Sequence, residues 1–191
     1  MAHSFFAYIF RMRYIARWAL MRNTRTENVE EHSYEVAVLA HALAIIGREI
    51  FHRDTDPNAA AAAALFHDAP EIITGDMPTP IKYGNPQLKD AYKAVEEVAQ
   101  AKLLSLLPPE LAPAYEPLLR ERDETARRYV KAADKLAAWL KCQEELKAGN
   151  SEFRRAADET LAALRALHME EADWFLSHMG DTFRLTLDDL G

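Results

Sequence analysis

The stretch "AAAALFHDAPEIITGD", residues 61–76, starts as bland helix and ends in a histidine and three carboxylates. Alanine runs unbroken from Ala59 to Ala64. It is the best helix former and carries almost no side chain, so neighbours can approach such a helix closely. Asp56-Pro57 just upstream is a start signal, which predicts a helix over 57–67. His67 and Asp68 then stand side by side, followed by Glu71 and Asp76. One reading is structural: Asp68-Ala69-Pro70-Glu71 matches a helix start, with an aspartate cap, a proline in the first turn and a glutamate at the third position. That reading explains both acids and leaves His67 unexplained.

The rest of the chain is also helical in pattern. Phe5, Ile9, Met12 and Ala16 predict an amphipathic helix over 4–17. Residues 20–28 read as a polar loop, and Asn28 with Glu31 as a capping pair for a helix over 29–52. That helix is apolar almost all round, as a helix at the centre of a domain would be. Further helices are expected over 86–107, 122–147 and 151–178. "LPPELAPAYEPLL" suggests one or two short helical turns, and Gly149-Asn150 should end one helix and cap the next. Residues 74–86 hold the long run of breakers and form a loop. No segment alternates with period two long enough to make a strand. The chain has 191 residues, 49% of them hydrophobic, and only 6 glycines. That suffices for one core and is short for two, so the expectation is an all-α single domain over 1–191.

The formal net charge is −7. An acidic surface argues against nucleic-acid polymers and anionic membranes as partners, yet permits a small anion in a local basic pocket. Cys142 is the single cysteine, which fits a reducing cytoplasm. The N-terminal stretch interrupts its apolar residues with Arg11, Arg13 and Arg17 and does not read as a signal peptide. No apolar run is long enough to span a bilayer.

Four residues stand out. His32 lies on the inward stripe continued by Val36, Leu39 and Leu43; alone it reads as a core histidine. His41 reads the same way, and His52 as a partner for a helix C-terminus. Asp134 sits mid-helix on an apolar arc with Val130, Ala133 and Ala137. A buried unpaired carboxylate costs several kcal/mol, on the order of a domain's whole margin, so Asp134 needs a cation. A neighbouring Lys or Arg would do, and so would a metal. Together His32, His67, Asp68 and Asp134 offer two imidazoles and two carboxylates from three buried helices. Nitrogen and oxygen donors without thiolate suit Co, Mn, Fe, Zn or Mg. Four protein donors leave positions on a six-coordinate ion for water and a substrate oxygen.

The order His, His-Asp, Asp on helices resembles the HD-domain phosphohydrolases. "RWALMRNTRTENVEEHS", "LFHDAPEIITGDMPTPIK" and "KAADKLAAWLKCQEELKAGN" each resemble the bacterial 5'-deoxynucleotidase branch of that superfamily. The resemblance covers nearly the whole chain and is weakest after about residue 155. It implies a compact helical bundle with a buried metal site, and His32, His67, Asp68 and Asp134 as ligands. Glu71, placed by the H-D-x-x-E spacing, would position or deprotonate the attacking water. Arg17 would contact the substrate, Trp18 would help exclude a ribose 2'-hydroxyl, and Asp76 would bind the sugar 3'-hydroxyl. The implied reaction is divalent-cation-dependent hydrolysis of deoxyribonucleoside 5'-monophosphates in a cytoplasmic homodimer. Cobalt or manganese is the expected ion, with magnesium, zinc and iron as alternatives. On its own, Trp18 would be read as core. Other HD-type reactions, on a deoxynucleoside triphosphate, an alarmone or a cyclic dinucleotide, call for a richer basic pocket. A non-catalytic sensor module would typically have lost a ligand or the acid at 71, and neither is lost here.

Overall fold

The computed structural model describes residues 3–78, 81 and 85–191. Its helices are α1 (Phe5–Ile9), α2 (Val29–Glu49), α3 (Pro57–Ala64), α4 (Glu71–Thr74), α5 (Pro86–Leu104), α6 (Ala112–Leu119), α7 (Glu124–Lys147), α8 (Arg154–Arg165) and α9 (Glu170–Met179). The chain is all-α, and among the described residues the one extended pairing is an isolated bridge between Ala16 and Asn28. No described helix is long and apolar enough to cross a membrane. Thr79, Pro80, Lys82, Tyr83 and Gly84 of the expected breaker loop lie outside the described residues.

Helix α2 is the axis of the bundle. Its start is fixed by a capping box: Asn28 accepts from the Glu31 amide, and Glu31 accepts from the Asn28 amide. Val36, Leu39, Ala40, Leu43 and Ala44 on α2 pack against Ala60, Ala63 and Ala64 of α3 and against Ala132, Ala133, Leu136 and Ala137 of α7. The alanines on both neighbours allow that close approach, which brings the start of α2, the end of α3 and the middle of α7 near one another. Asp56 caps α3 through the Asn58 and Ala59 amides, as Asp-Pro predicts. A second cluster, including Phe5, Met12, Ala69, Leu103 and Leu119, ties the N-terminus to α5 and α6.

Four expectations change. The helix over 4–17 ends early: α1 tightens into a 3-10 turn over Phe10–Tyr14, and Ile15 is extended. The reason is long-range, because the Val29 amide bonds the Ile15 carbonyl and the Arg17 amide bonds the Glu27 carbonyl. The helix over 29–52 stops at Glu49, and His52 takes a left-handed φ of 54° in the turn that leaves it, so it is a turn residue. Along α2, Tyr34 and Val38 are exposed and His41 is only half-buried, so α2 is covered on part of its circumference. The helix over 151–178 breaks between α8 and α9, where His168 takes a left-handed φ of 49°. That break seats Met169, Ala172 and Phe175 in the α2–α7 core. No glycine or proline marks it.

Candidate active site

Beyond α3 the chain runs through turns, and α4 starts only at Glu71. Pro70 precedes it with no side-chain cap, so Asp68 is not a helix cap. Its carboxylate points elsewhere. Asp68 Oδ2 lies 3.2 Å from His67 Nε2, 3.6 Å from His32 Nε2 and 3.3 Å from Arg17 Nη1. Donor atoms of His32, His67 and Asp68 all lie within 4.8 Å of one another, as a metal site requires. Asp134 joins this group from α7: its Oδ1 is 3.2 Å from His32 Nε2, while its Oδ2 accepts from Lys135 at 2.7 Å. Asp134 thus has a lysine on one oxygen and the His-Asp cluster on the other.

The two imidazoles are turned alike. His67 Nδ1 is 2.7 Å from the Ala64 carbonyl, which can only accept, so the proton belongs on Nδ1. His32 Nδ1 is 3.3 Å from Glu27 Oε1. In both rings Nε2 is left aimed at Asp68, and the buried His67 Nε2 has no hydrogen-bond partner. Two imidazole nitrogens and the Asp68 carboxylate converge, with Asp134 beside His32, and this donor set would fit a divalent cation.

Without a cation, the charges of the site compensate one another. Burial works against every charge here, and the neighbours outweigh it. Asp68 is held well below the usual carboxylate range, despite burial, by His67, His32 and Arg17. Asp134 is held low, again against burial, by His32 and Lys135. Burial would depress His67, but Asp68 raises it to about 9. Burial would weaken the Arg17 charge, and Asp68 and Glu27 more than restore it.

The remaining expected site residues are close at hand. Glu71 is buried at the first position of α4. Arg17 and Trp18 follow the bridge to Asn28, and Trp18 holds a left-handed φ of 57°, a costly conformation for a bulky aromatic. Its ring sits 5.4 Å from that of Phe153, at the edge of a small cluster with Cys142 and Ala157. The Asp76 carboxyl is raised by burial, with the nearby Arg17 charge opposing. The structure thus gathers Arg17, Trp18, His32, His67, Asp68, Asp76 and Asp134 around one region.

Sequence reasoning missed Glu27. It sits in the stretch read as polar loop, yet is only 8% exposed. Its Oε1 is 3.2 Å from Arg17 Nε, and its Oε2 accepts from Trp18 Nε1 at 2.9 Å. Burial opposes its charge, and His32 and Arg17 keep it low. No local signal marks a glutamate beside a capping asparagine as buried.

Residues 4–183 match a family described as "5'-deoxynucleotidase YfbR-like". The chain is similar to the protein named "5'-deoxynucleotidase yfbR" of Photorhabdus temperata, 48% identical over 100% of this chain and 97% of that one. Among solved structures it resembles an HD-domain phosphohydrolase of Listeria innocua, with a TM-score of 0.78 at 25% identity over 95% of this chain and 88% of that one. The HD phosphohydrolase DatZ of cyanophage S-2L, described as bound to dA and one catalytic zinc ion, shares the fold. Its TM-score is 0.66 at 22% identity, over 94% and 96% of the two chains.

Proposed function

Since the chain belongs to the YfbR-like 5'-deoxynucleotidase family, we propose that it hydrolyses deoxyribonucleoside 5'-monophosphates to deoxynucleoside and phosphate, using a divalent cation held by His32, His67, Asp68 and Asp134. The observation that carries the reading is the aim of the His32 and His67 Nε2 atoms at Asp68 Oδ2, with Arg17 on the same oxygen.

Phosphate monoesters hydrolyse extremely slowly unaided, so the site must lower a very large barrier. A bound cation supplies Lewis-acid polarisation of the phosphate and eases deprotonation of water. Arg17 presents a forked donor to the remaining phosphoryl oxygens, and its ion pairs to Glu27 and Asp68 hold the fork in place. Glu71 takes the proton from the attacking water. Asp76 binds the sugar 3'-hydroxyl, and Trp18 stands as a wall against the 2' carbon. A wall is needed because a pocket rarely rejects an added hydroxyl strongly through lost contacts alone. The oxygen- and nitrogen-only donor set suits cobalt or manganese, with zinc, magnesium and iron as alternatives. The protein acts as a cytoplasmic homodimer, each chain one working unit over 1–191. Exposed Val95 and Val98 on α5, and Tyr34 and Val38 on α2, offer apolar surface for a second copy.

The test is a substrate panel of dAMP, dATP and a cyclic dinucleotide, each with Co²⁺, Mn²⁺, Zn²⁺ and Mg²⁺. Phosphate release from dAMP, abolished by a chelator and restored by metal, is expected. Triphosphate release from dATP, or opening of the cyclic dinucleotide, with dAMP untouched would replace this reading with another HD-type reaction. Metal binding without turnover of any substrate would leave a sensor module.

A further inference from the structure

Glu27 touches three groups to which separate roles are assigned above, and none of them is next to it in sequence. The Oε1 atom lies 3.2 Å from Arg17 Nε and 3.3 Å from His32 Nδ1. The Oε2 atom accepts from Trp18 Nε1 at 2.9 Å. Its backbone carbonyl accepts from the Arg17 amide at 2.9 Å. His32 is fully buried, its Nδ1 makes no hydrogen bond of good geometry, and Glu27 Oε1 is the acidic oxygen beside it, at 3.3 Å. An ionised carboxylate can only accept. His32 Nε2 also faces a carboxylate, Asp134 Oδ1 at 3.2 Å, so the ring can donate on either side without a cation; with a cation at Nε2, Glu27 is the acceptor that takes the Nδ1 proton. The same carboxylate fixes the Trp18 indole while the Trp18 backbone sits in a left-handed conformation that local preference disfavours.

We propose that Glu27 is the positioning residue of this site: one carboxylate sets the tautomer of the metal ligand His32, aims the Arg17 fork, and pins the Trp18 ring, so that cation binding and sugar choice depend on a single side chain. The inference rests on the site assignment above. It goes beyond that assignment in coupling two properties that separate residues would otherwise supply independently.

Glu27→Gln keeps the volume and removes the charge. One of its two terminal atoms becomes an N–H donor. That donor then faces either Trp18 Nε1 or the Arg17 and His32 donors, so no orientation serves all three. Zn²⁺ affinity of the metal-free protein, measured by competition with a chromophoric chelator, is expected to fall about 10- to 100-fold, the usual cost of losing a partner behind a metal-bound histidine. The ratio of kcat/KM for dAMP over AMP should fall in the same variant. If Glu27→Gln does not fold, as judged by circular dichroism, Glu27→Asp is read in the same two assays. Its shorter arm keeps the charge but cannot reach all three partners. Wild type cleaving dAMP with metal, beside a folded variant whose Zn²⁺ affinity and dAMP-to-AMP ratio both match it, would overturn the Glu27 role alone. Loss of only one of the two properties would overturn the coupling. Wild type that binds Zn²⁺ and leaves dAMP intact would instead overturn the underlying function.

Discussion

Replacing Glu145 by glutamine should cost the fold a large part of its margin, although Glu145 is not among the residues assigned to the chemistry. Glu145 is fully buried on α7 and accepts from Lys141 Nζ at 2.6 Å, Thr24 Oγ1 at 2.7 Å, Asn150 Nδ2 at 2.8 Å, and the Thr24 and Arg25 amides at 2.9 and 3.2 Å. Lys141 also donates to the Arg25 carbonyl at 2.6 Å. This cluster anchors the loop that leads to Glu27. In Glu145→Gln either terminal atom that becomes N–H₂ faces at least two donors, and the buried Lys141 loses its counter-charge. Breaking a buried pair on one side costs roughly 3–5 kcal/mol. Set against a typical margin of about 5–15 kcal/mol, that loss is large. At roughly 2–4 °C per kcal/mol for a chain of this size, the melting temperature should fall by about 10 °C. The effect has a pH signature. Lys141, Asn150 and Thr24 overcome the burial of Glu145 and hold it well below the usual carboxylate range. A depressed carboxylate stabilises the fold above its unfolded pKa, about 4.3, and loses that contribution as pH falls through the folded value. The gap between wild type and Glu145→Gln should therefore be full at neutral pH and narrow below about pH 4. Urea unfolding followed by circular dichroism across that range gives both numbers. A loss under about 1 kcal/mol at neutral pH, or a gap that does not narrow in acid, would refute the account.

Four further outcomes are expected. Asp134→Ala should lose metal and activity together, and elemental analysis that finds it fully loaded would remove Asp134 from the ligand set. Glu71→Ala should keep metal and lose turnover by on the order of a hundredfold, because it removes an acid–base group; near-normal turnover would reduce Glu71 to a structural role. Trp18→Ala should raise AMP relative to dAMP while Asp76→Ala damages both, and an unchanged ratio in folded Trp18→Ala would sink the steric account. Gly47→Ala sets roughly 1 kcal/mol of helix propensity against a Cβ driven into the Tyr129 hydroxyl and 3.3 Å from Glu171 Oε1. Overpacking of roughly 1–3 kcal/mol wins, and it disturbs the Tyr129–Glu171 hydrogen bond, so thermal melting should show a less stable protein.

The sequence by itself determined the elements whose causes are local. Asp56-Pro57 and Asn28 with Glu31 mark two helix starts because their side chains cap amides within three residues. The alanine run and the inward stripe of α2 mark what is buried, since periodicity and size suffice for that. The acid at Asp134, on an apolar arc, called for a compensating partner, and the structure, where it is half-buried, supplies Lys135 and His32. Only tertiary structure decided the rest. The early end of α1 and the left-handed Trp18 follow from pairing between residues 15–17 and 27–29, which no propensity encodes. The break at His168 follows from where α9 must dock against α2 and α7, and it carries no glycine to announce it. Asp68 could equally have capped a helix; only the arrival of Arg17 and His32 from elsewhere turned its carboxylate into the centre of the site. Glu27 was invisible in sequence for the same reason: its three side-chain partners stand apart from it in the chain, and a carboxylate's role is set by the donors that folding brings to it.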